Sequence, residues 1–169
     1  VAPLHYAKGN YFTLTGKALK EGMELLYLGK HIYKTNDYYL QISGAQVTYD
    51  SKGKLFKTVT SVKVGKPGSM TEVTDTKCYK VATNYYVGTL MGTLSTATSG
   101  VLKVTPKAKD CKTTVTDMKT RVVKDKNGNE IKAWQALVSY LSTFPDTNSN
   151  KIPDVPAAYK TAQGRIVEK

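Results

Sequence analysis

The sequence predicts an α+β fold, in which about three helices pack on a mixed, largely antiparallel sheet. Apolar residues recur at helical spacing in three segments, at about 16–28, 84–98 and 130–142. Short segments rich in Val, Thr and Tyr lie between them and alternate as half-buried strands do. A chain of 169 residues with no internal repeat and no long linker fits one domain, 1–169.

The first half of the chain is predicted to contain one helix and a β-hairpin. Thr15 or Gly16 is a suitable cap for the helix, and Gly29 a suitable end. In order, the elements are a strand at 11–15, the helix at 16–28, a polar loop at 30–37, an apolar stretch at 38–44 that precedes the hairpin as a strand, a strand at 45–49, a turn at 50–53, a strand at 55–64, a turn at 65–68 and a polar link to residue 77.

The second half is predicted to contain two helices, of which the later one has the clearer pattern. Asn129 is a good cap for it, and Trp134 lies in its apolar stripe, so packing is the expected role of this Trp. In order, the elements are a strand at 79–83, the helix at 84–98, a short strand at 101–105, a polar loop at 107–117, a strand at 118–124, a turn at 125–129, the helix at 130–142 and a tail with a short final segment at 164–167.

The junction between the strand at 79–83 and the following helix is the first candidate site. Asn84 stops the strand, and Tyr85 and Tyr86 come directly after it. A strand that runs into a helix delivers side chains to a sheet edge, where α/β proteins often bind ligands. The simpler interpretation is that at least one of the two tyrosines belongs to the core.

The net charge of +12 raises the question of nucleic-acid binding. The 23 lysines are spread singly along the sequence, and only Arg121 and Arg165 are present. Bidentate recognition of bases and phosphates favours Arg over Lys. We therefore expect no dedicated nucleic-acid module and a solvated Lys-rich surface instead.

The composition also limits membrane and targeting segments. No apolar run reaches the ~20 residues that a membrane-spanning helix needs. The chain starts at Val1 without a basic and apolar leader, so we expect a mature or excised piece whose targeting signal has been removed.

Cysteine and histidine are too few for most metal or nucleophilic centres. Cys78 and Cys111 match no zinc or redox spacing, and they could form a disulfide or stay free thiols. His5 and His31 are the only histidines and are most simply surface residues.

A calcium-loop pattern occurs in the tail. Asp146, Asn148, Asn150 and Asp154 occupy its first, third, fifth and ninth positions. Lys151 replaces the glycine of the sharp turn, and position twelve is not the bidentate Glu. A polar surface loop is therefore the preferred interpretation, and no metal site is predicted.

Taken together, these segments resemble the C-terminal domain of 5'-nucleotidases, the substrate-specificity half of secreted two-domain phosphoesterases. The stretches that carry the likeness, in order, are LTGKALKEGME at 14–24, YLQISGAQVTYD at 39–50, YKVATN at 79–84, EIKAWQALVSYL at 130–141 and GRIVE at 164–168.

The resemblance implies that a nucleoside or nucleotide base is held between two aromatic rings. Tyr39 matches the first ring, and Tyr86 matches the second at the start of the middle helix, with Tyr85 as the alternative. Stacking of a base on one aromatic ring is worth about 1–3 kcal/mol.

The sequence departs from the family pattern after Tyr86. Family members continue into a Gly-Gly-Asp-Gly loop whose Asp holds the ribose hydroxyls, whereas here Leu90, Met91, Gly92 and Thr93 follow. Bulky apolar residues at these positions would fill a pocket or extend the helix. The arginines that hold the phosphate in the family have no clear counterpart here.

The resemblance also implies a division of labour between domains. Hydrolysis in the family belongs to an N-terminal metallophosphoesterase domain with two metals, so this chain has no cofactor or catalytic residue of its own. That domain is the expected protein partner, and the expected location is extracellular, cell wall or periplasmic. The alternative is a non-enzymatic binding or structural module that has lost nucleotide recognition and presents its lysines to anionic envelope polymers.

Overall fold

The computed structural model describes residues 9–28 and 41–169, and it confirms the α+β class. Three α-helices and six strands lie within these ranges. In chain order they are β1 (Gly9–Thr15), α1 (Gly16–Leu28), β2 (Ala45–Tyr49), β3 (Val59–Val64), β4 (Thr71–Glu72), β5 (Cys78–Asn84), α2 (Tyr85–Ala97), α3 (Ala133–Leu141) and β6 (Ile166–Glu168).

The strands form two sheets that are mostly antiparallel, as predicted. The larger sheet has the order β4-β3-β2-β6, and the smaller one pairs β1 with β5. β2 and β3 make the predicted hairpin, in which Val47 is opposite Val62. β6 adds to the other side of β2 in parallel orientation, so the sheet is mixed.

The start of α1 shows why the Leu-Thr-Gly sequence suits this position. The Thr15 hydroxyl accepts a hydrogen bond from the Ala18 N–H at 3.2 Å, so Thr15 is the cap. A Cβ on Gly16 would lie 2.1 Å from the Thr74 carbonyl oxygen, and the Gly16 N–H donates to the Lys77 carbonyl at 2.8 Å. Only glycine fits so close to this backbone.

The described residues divide into two compact units. The first contains residues 9–11, 82–89 and 117–163, and the second contains residues 12–28, 41–81, 90–116 and 164–169. The single domain expected for 1–169 remains a prediction. The second unit holds a continuous apolar core. Its fully buried large side chains are Phe12, Leu14, Val47, Val62, Leu94, Leu102 and Val104.

The strand predicted at 101–105 is wrong, and the strand predicted at 118–124 is wrong over its first four residues, for different physical reasons. Val122 and Lys124 do make antiparallel bridges, with Asn10 and Glu130. Residues 101–105 form no strand, although Leu102 and Val104 are fully buried, so their alternation reflects burial without strand pairing. Met118–Arg121 is a 3₁₀ turn capped by Asp117, whose carboxylate accepts from the Lys119 N–H at 2.8 Å. Asp at this position competes with strand pairing by bonding its own backbone.

The helix α3 begins three residues later than predicted, and it is more exposed. Lys132 is its cap residue, and its N–H donates to Oε1 of Gln135 at 2.7 Å. The predicted cap Asn129 instead donates to the Asp125 carboxylate inside the preceding turn. No residue of α3 is buried, and Trp134 is 43% exposed. Trp134 therefore packs only in part, whereas packing in the apolar stripe is the role predicted from the sequence.

The hairpin region differs from the prediction at its edges. The second strand starts at Val59, because residues 55–57 form turns before it, and the link after it contains the unpredicted short strand β4. Residues 41–44 form no strand before the hairpin. The predictions for Gly29, for the loop at 30–37 and for residues 38–40 lie outside the described residues.

Candidate functional site

The candidate site begins where β5 runs directly into α2. The Asn84 carboxamide oxygen accepts a hydrogen bond from the Val87 N–H at 2.8 Å, so Asn84 caps the helix and ends the strand as predicted. Tyr85 and Tyr86 therefore occupy the first turn of α2.

The first turn of α2 packs closely on a buried asparagine and a methionine. A Cβ on Gly88 would lie 2.9 Å from Cε of Met118 and 3.2 Å from Nδ2 of Asn10. The same Nδ2 donates to the Met118 carbonyl at 3.1 Å, and Asn10 is completely buried. A side chain at position 88 would have to displace the Met118 methyl group, so the first turn of α2 is closely packed on these two residues.

Tyr86 lies on the exposed side of this turn. Its side chain is 75% exposed, and Tyr85 is half-buried. The Tyr85 carbonyl accepts a hydrogen bond from the Thr89 hydroxyl at 3.0 Å. Neither tyrosine is a core residue, so the simpler interpretation, that at least one of the two belongs to the core, is wrong. The Tyr86 ring is available to a planar ligand.

The other predicted ring, Tyr39, lies outside the described residues, as do His5 and His31. The pairing of Tyr39 with Tyr86 therefore stays a prediction. Tyr85 remains its predicted alternative.

Residues 90–93, which replace the family's Gly-Gly-Asp-Gly loop, continue α2 without a break. The Thr93 hydroxyl donates to the Leu90 carbonyl at 3.0 Å, and Gly92 is exposed. The Met91 sulfur lies 3.3 Å from where a Cβ of Gly22 on α1 would be. These bulky residues therefore extend the helix, which is one of the two predicted outcomes.

The two arginines make contacts with the protein itself. Arg165 donates from Nη1 to the Ile42 carbonyl at 2.9 Å, which ties the start of β6 to the segment before β2. Arg121 donates from Nε to the Thr120 hydroxyl at 3.3 Å. Neither contact assigns an arginine to a phosphate.

The calcium-like loop at 146–154 uses its carboxylates to organise its own backbone. Asp146 accepts from the Asn150 and Lys151 N–H groups at 3.2 and 2.8 Å. Asp154 accepts from the Thr147 hydroxyl and N–H at 2.5 and 2.7 Å, and these bonds lower the pKa of its carboxyl group. The geometry is that of the polar surface loop preferred from the sequence.

Among residues 9–28 and 41–169, no group of three or more His, Cys, Asp or Glu side chains is placed to hold a metal ion. The helices in those ranges are all too short or too polar to cross a bilayer.

The structure settles the state of the two cysteines that the sequence leaves open. Cys78, at the start of β5, and Cys111 form a disulfide, with their Cα atoms 6.3 Å apart. This separation is normal for a disulfide. The bond links the start of β5 to the loop at 107–116.

Gly88 and Asn10 support the site but were not predicted from the sequence. Gly88 carries a signal in retrospect, because glycine inside a helix costs about 1 kcal/mol relative to alanine and so indicates a close contact. Asn10 carries no comparable local signal, since its burial depends on a partner 108 residues away.

Comparison with known proteins places this geometry in a family context. The family model described as "5'-nucleotidase, C-terminal domain" matches residues 8–97. This range contains β5, the first turn of α2 and the hairpin, and it ends with α2. Comparison with curated proteins gives no significant match.

Two solved structures share the fold over 96% of this chain. The 5'-nucleotidase precursor from Thermus thermophilus has a TM-score of 0.53 at 16% identity, and the Haemophilus influenzae NAD nucleotidase (NadN) has 0.52 at 13%. The present chain covers 25% and 24% of those two chains, or about a quarter of each.

Proposed function

Because the chain belongs to the 5'-nucleotidase C-terminal domain family, we propose that it is the substrate-binding domain of a secreted nucleotidase-like phosphoester hydrolase. In this proposal the domain binds the base of a nucleoside or nucleotide, and a separate N-terminal metallophosphoesterase domain carries the divalent metals and performs hydrolysis. The disulfide between Cys78 and Cys111 supports a location outside the cytoplasm, since disulfides persist in oxidising compartments.

The observation that carries the proposal is the exposed ring of Tyr86 on the closely packed first turn of α2. Among the exposed large apolar side chains of the described residues, Tyr86 has the greatest exposure, 75%, and it stands at a strand-to-helix junction. Gly88, in the same turn of α2, packs against Asn10 and Met118. A base that stacks on this ring gains apolar burial and costs little reorganisation of the protein.

The ring of Tyr39 is proposed as the second face of the base site. The rings would need to lie roughly 7 Å apart, which is two contact distances of about 3.5 Å. The affinity should be low, because no carboxylate stands at residues 90–93 to hold the ribose.

Replacing Tyr86 by alanine should weaken adenosine binding by about fivefold or more, since one stacking contact is worth about 1–3 kcal/mol. Isothermal titration calorimetry at millimolar adenosine measures the effect, and Tyr39→Ala should show the same loss. If Tyr85 supplies the ring instead of Tyr86, Tyr85→Ala should weaken adenosine binding and Tyr86→Ala should not.

Tyr140→Ala is the matched control for this titration, because Tyr140 is a half-exposed tyrosine on α3. Its loss should leave adenosine binding unchanged. Equal weakening by Tyr86→Ala and Tyr140→Ala would contradict a specific base site on α2.

Purified residues 1–169 should release no phosphate from AMP, even with added Mn²⁺, Zn²⁺ or Co²⁺. The chain contains only two histidines, whereas two-metal phosphoesterase centres use several His, Asp and Asn ligands. A colorimetric phosphate assay tests this expectation. Reproducible turnover that a chelator abolishes would show that the chain is catalytic.

A second candidate function is favoured by the helical residues 90–93. Because they extend α2 in place of a ribose-binding loop, the domain could retain the fold as a binding module without nucleotide recognition. Normal folding with no adenosine response in any of the titrations above would select this alternative.

A further inference from the structure

The Cys78–Cys111 disulfide joins two segments that are both rich in lysine. Residues 75–80 and 107–112 contain five lysines among twelve residues, against 23 in the 169 residues of the whole chain. We call the set formed by Lys80, Lys107, Lys109 and Lys112 the disulfide patch. With the two cysteine Cα atoms 6.3 Å apart, these lysines of two segments that are distant in sequence flank the same disulfide.

The lysines of the disulfide patch are accessible. Lys80, Lys109 and Lys112 are exposed, and Lys107 is half-buried. Lys80 is two residues after Cys78 on β5, so it lies on the same face of the strand as the disulfide. The same alternation places Lys77, one residue before Cys78, on the opposite side, where its Nζ is 5.9 Å from the centroid of the Tyr79 ring.

The segment at 107–112 is anchored to β1 by hydrogen bonds of Lys107. The backbone of Lys107 exchanges two hydrogen bonds with Thr13 of β1, each 2.8 Å long, and its Nζ donates to the Thr114 hydroxyl at 2.8 Å. The disulfide then ties this frame to β5. The positive charges are therefore presented on ordered backbone.

Two aspartates lie in the same segments, and both already have partners. Asp75 pairs with Lys20 at 3.0 Å. Asp110 accepts from the Thr113 hydroxyl at 2.6 Å and from the Lys112 and Thr113 N–H groups at 3.0 Å. These bonds, led by the Thr113 hydroxyl, lower the pKa of Asp110 to about 2. The Asp110 carboxylate is therefore used within its own turn. Lysines outnumber aspartates five to two in these segments.

We propose that the disulfide patch binds a linear phosphodiester polymer of the cell envelope. Lysine is a compact charge on a flexible stem, which suits successive phosphates on a chain without fixed shape. Each phosphate that a lysine neutralises releases counterions, and this release supplies the affinity. The disulfide indicates an oxidising compartment, where such polymers rather than nucleic acids are the resident polyanions.

The residues that would favour nucleic acid are not in the patch. Arg121 and Arg165, which suit bidentate contacts, contact Thr120 and Ile42 elsewhere in the chain. Strand alternation places the ring of Tyr79 on the face of β5 opposite the disulfide, where it faces the Lys77 Nζ at 5.9 Å and its hydroxyl accepts the Thr74 N–H at 2.9 Å. The patch does not include the tyrosines of α2, so it goes beyond the proposed base site.

The test compares two triple variants that remove the same charge. Lys80→Gln/Lys109→Gln/Lys112→Gln removes the three exposed lysines of the disulfide patch, and Lys52→Gln/Lys54→Gln/Lys57→Gln removes three exposed lysines around the β2–β3 turn. The probe is poly(glycerol phosphate), and its affinity is measured by calorimetry as a function of salt. Circular dichroism checks that both variants fold.

The patch variant should bind at least about tenfold more weakly at physiological salt, and the slope of log K against log salt should fall by about 2, given ~0.7 per phosphate contact. The control variant should stay within about twofold of the unmodified protein. Equal losses in both variants would show that only the overall charge matters and would overturn the proposal.

Two further readouts make the result unambiguous. Binding to single-stranded oligo(dT) that is tighter than binding to poly(glycerol phosphate) would overturn the choice of polymer. Adenosine binding should be the same in both triple variants, so failure of the base site and failure of the disulfide patch are distinguishable.

Discussion

Replacing Cys78 and Cys111 by serine should lower the free energy of unfolding by about 3–4 kcal/mol, as expected for a crosslink between residues 33 apart. In the chain-entropy model the disulfide removes conformations from the unfolded chain, so its loss makes unfolding more favourable. The effect should be seen as a fall in the urea midpoint, with a somewhat steeper slope because the unfolded chain without the crosslink exposes more surface. The melting temperature should fall by roughly 10 °C in a chain of this size.

The unmodified protein in the presence of a reductant is the matched control for the serine variant. It should unfold at the same urea concentration as the double serine variant, and the variant itself should not respond to reductant. A variant as stable as the oxidised protein would contradict a structural role for this disulfide.

Replacing Glu24 by alanine should cost about 3–5 kcal/mol, because burying unpaired donors costs about 1–3 kcal/mol each. The Glu24 side chain is only 6% exposed on α1. Its carboxylate accepts from the Thr58 hydroxyl at 2.5 Å, the Thr58 N–H at 3.1 Å and the Val59 N–H at 2.8 Å. One carboxylate therefore satisfies three donors at the start of β3 and fixes α1 to the hairpin.

Glu24→Gln and Glu72→Gln separate burial from simple loss of a charge. Glu24→Gln keeps one acceptor oxygen and the side-chain volume, so it should cost less than Glu24→Ala. Glu72 also accepts from a hydroxyl and an N–H, those of Ser61 and Val62, but it is exposed, so Glu72→Gln should cost under about 1 kcal/mol. Urea unfolding measures the cost of all three substitutions. Equal costs for Glu24→Ala and Glu72→Gln would contradict the role of buried Glu24 in fixing α1 to the hairpin.

Local patterns in the sequence predict those elements whose signals are complete within a short segment. Helix α1 has a capping Thr15, a full apolar stripe and no competing signal, and its bounds are those predicted. Strand β2 alternates cleanly between buried and half-buried positions, and its bounds also match the prediction.

Alternation by itself does not distinguish a paired strand from an extended segment that packs on the core. Leu102 and Val104 are as deeply buried as strand residues, yet no strand among the described residues pairs with their backbone. The strand predicted at 118–124 fails over residues 118–121, because the Asp117 side chain bonds the backbone locally there. Sequence periodicity does not show whether an extended segment is paired, and it does not show whether an Asp side chain bonds the neighbouring backbone.

The long-range features of the candidate sites depend on contacts that the linear sequence does not specify. The sequence leaves the pairing of Cys78 and Cys111 open, and its lysines are spread singly. Only the fold brings the strand that carries Lys80 to the turn that carries Lys109 and Lys112. Likewise, the support of Tyr86 by Asn10 and Met118 joins residues 108 apart.

The family resemblance supplies what local patterns do not, namely the position of the base site. The matched region at 8–97 includes both Tyr39 and Tyr86. The exposure of Tyr86 is consistent with the role that the resemblance implies, whereas the helical residues 90–93 explain why weak binding is expected.

Mapping adenosine binding by ¹H–¹⁵N NMR tests the proposed base site most directly. Titration to millimolar adenosine should shift the amides of Asn84, Tyr85 and Tyr86 and those around Tyr39, with saturable, weak affinity and no shifts on α3. An absence of shifts at millimolar adenosine, or shifts confined to residues away from Tyr39 and the start of α2, would contradict nucleoside binding by this domain.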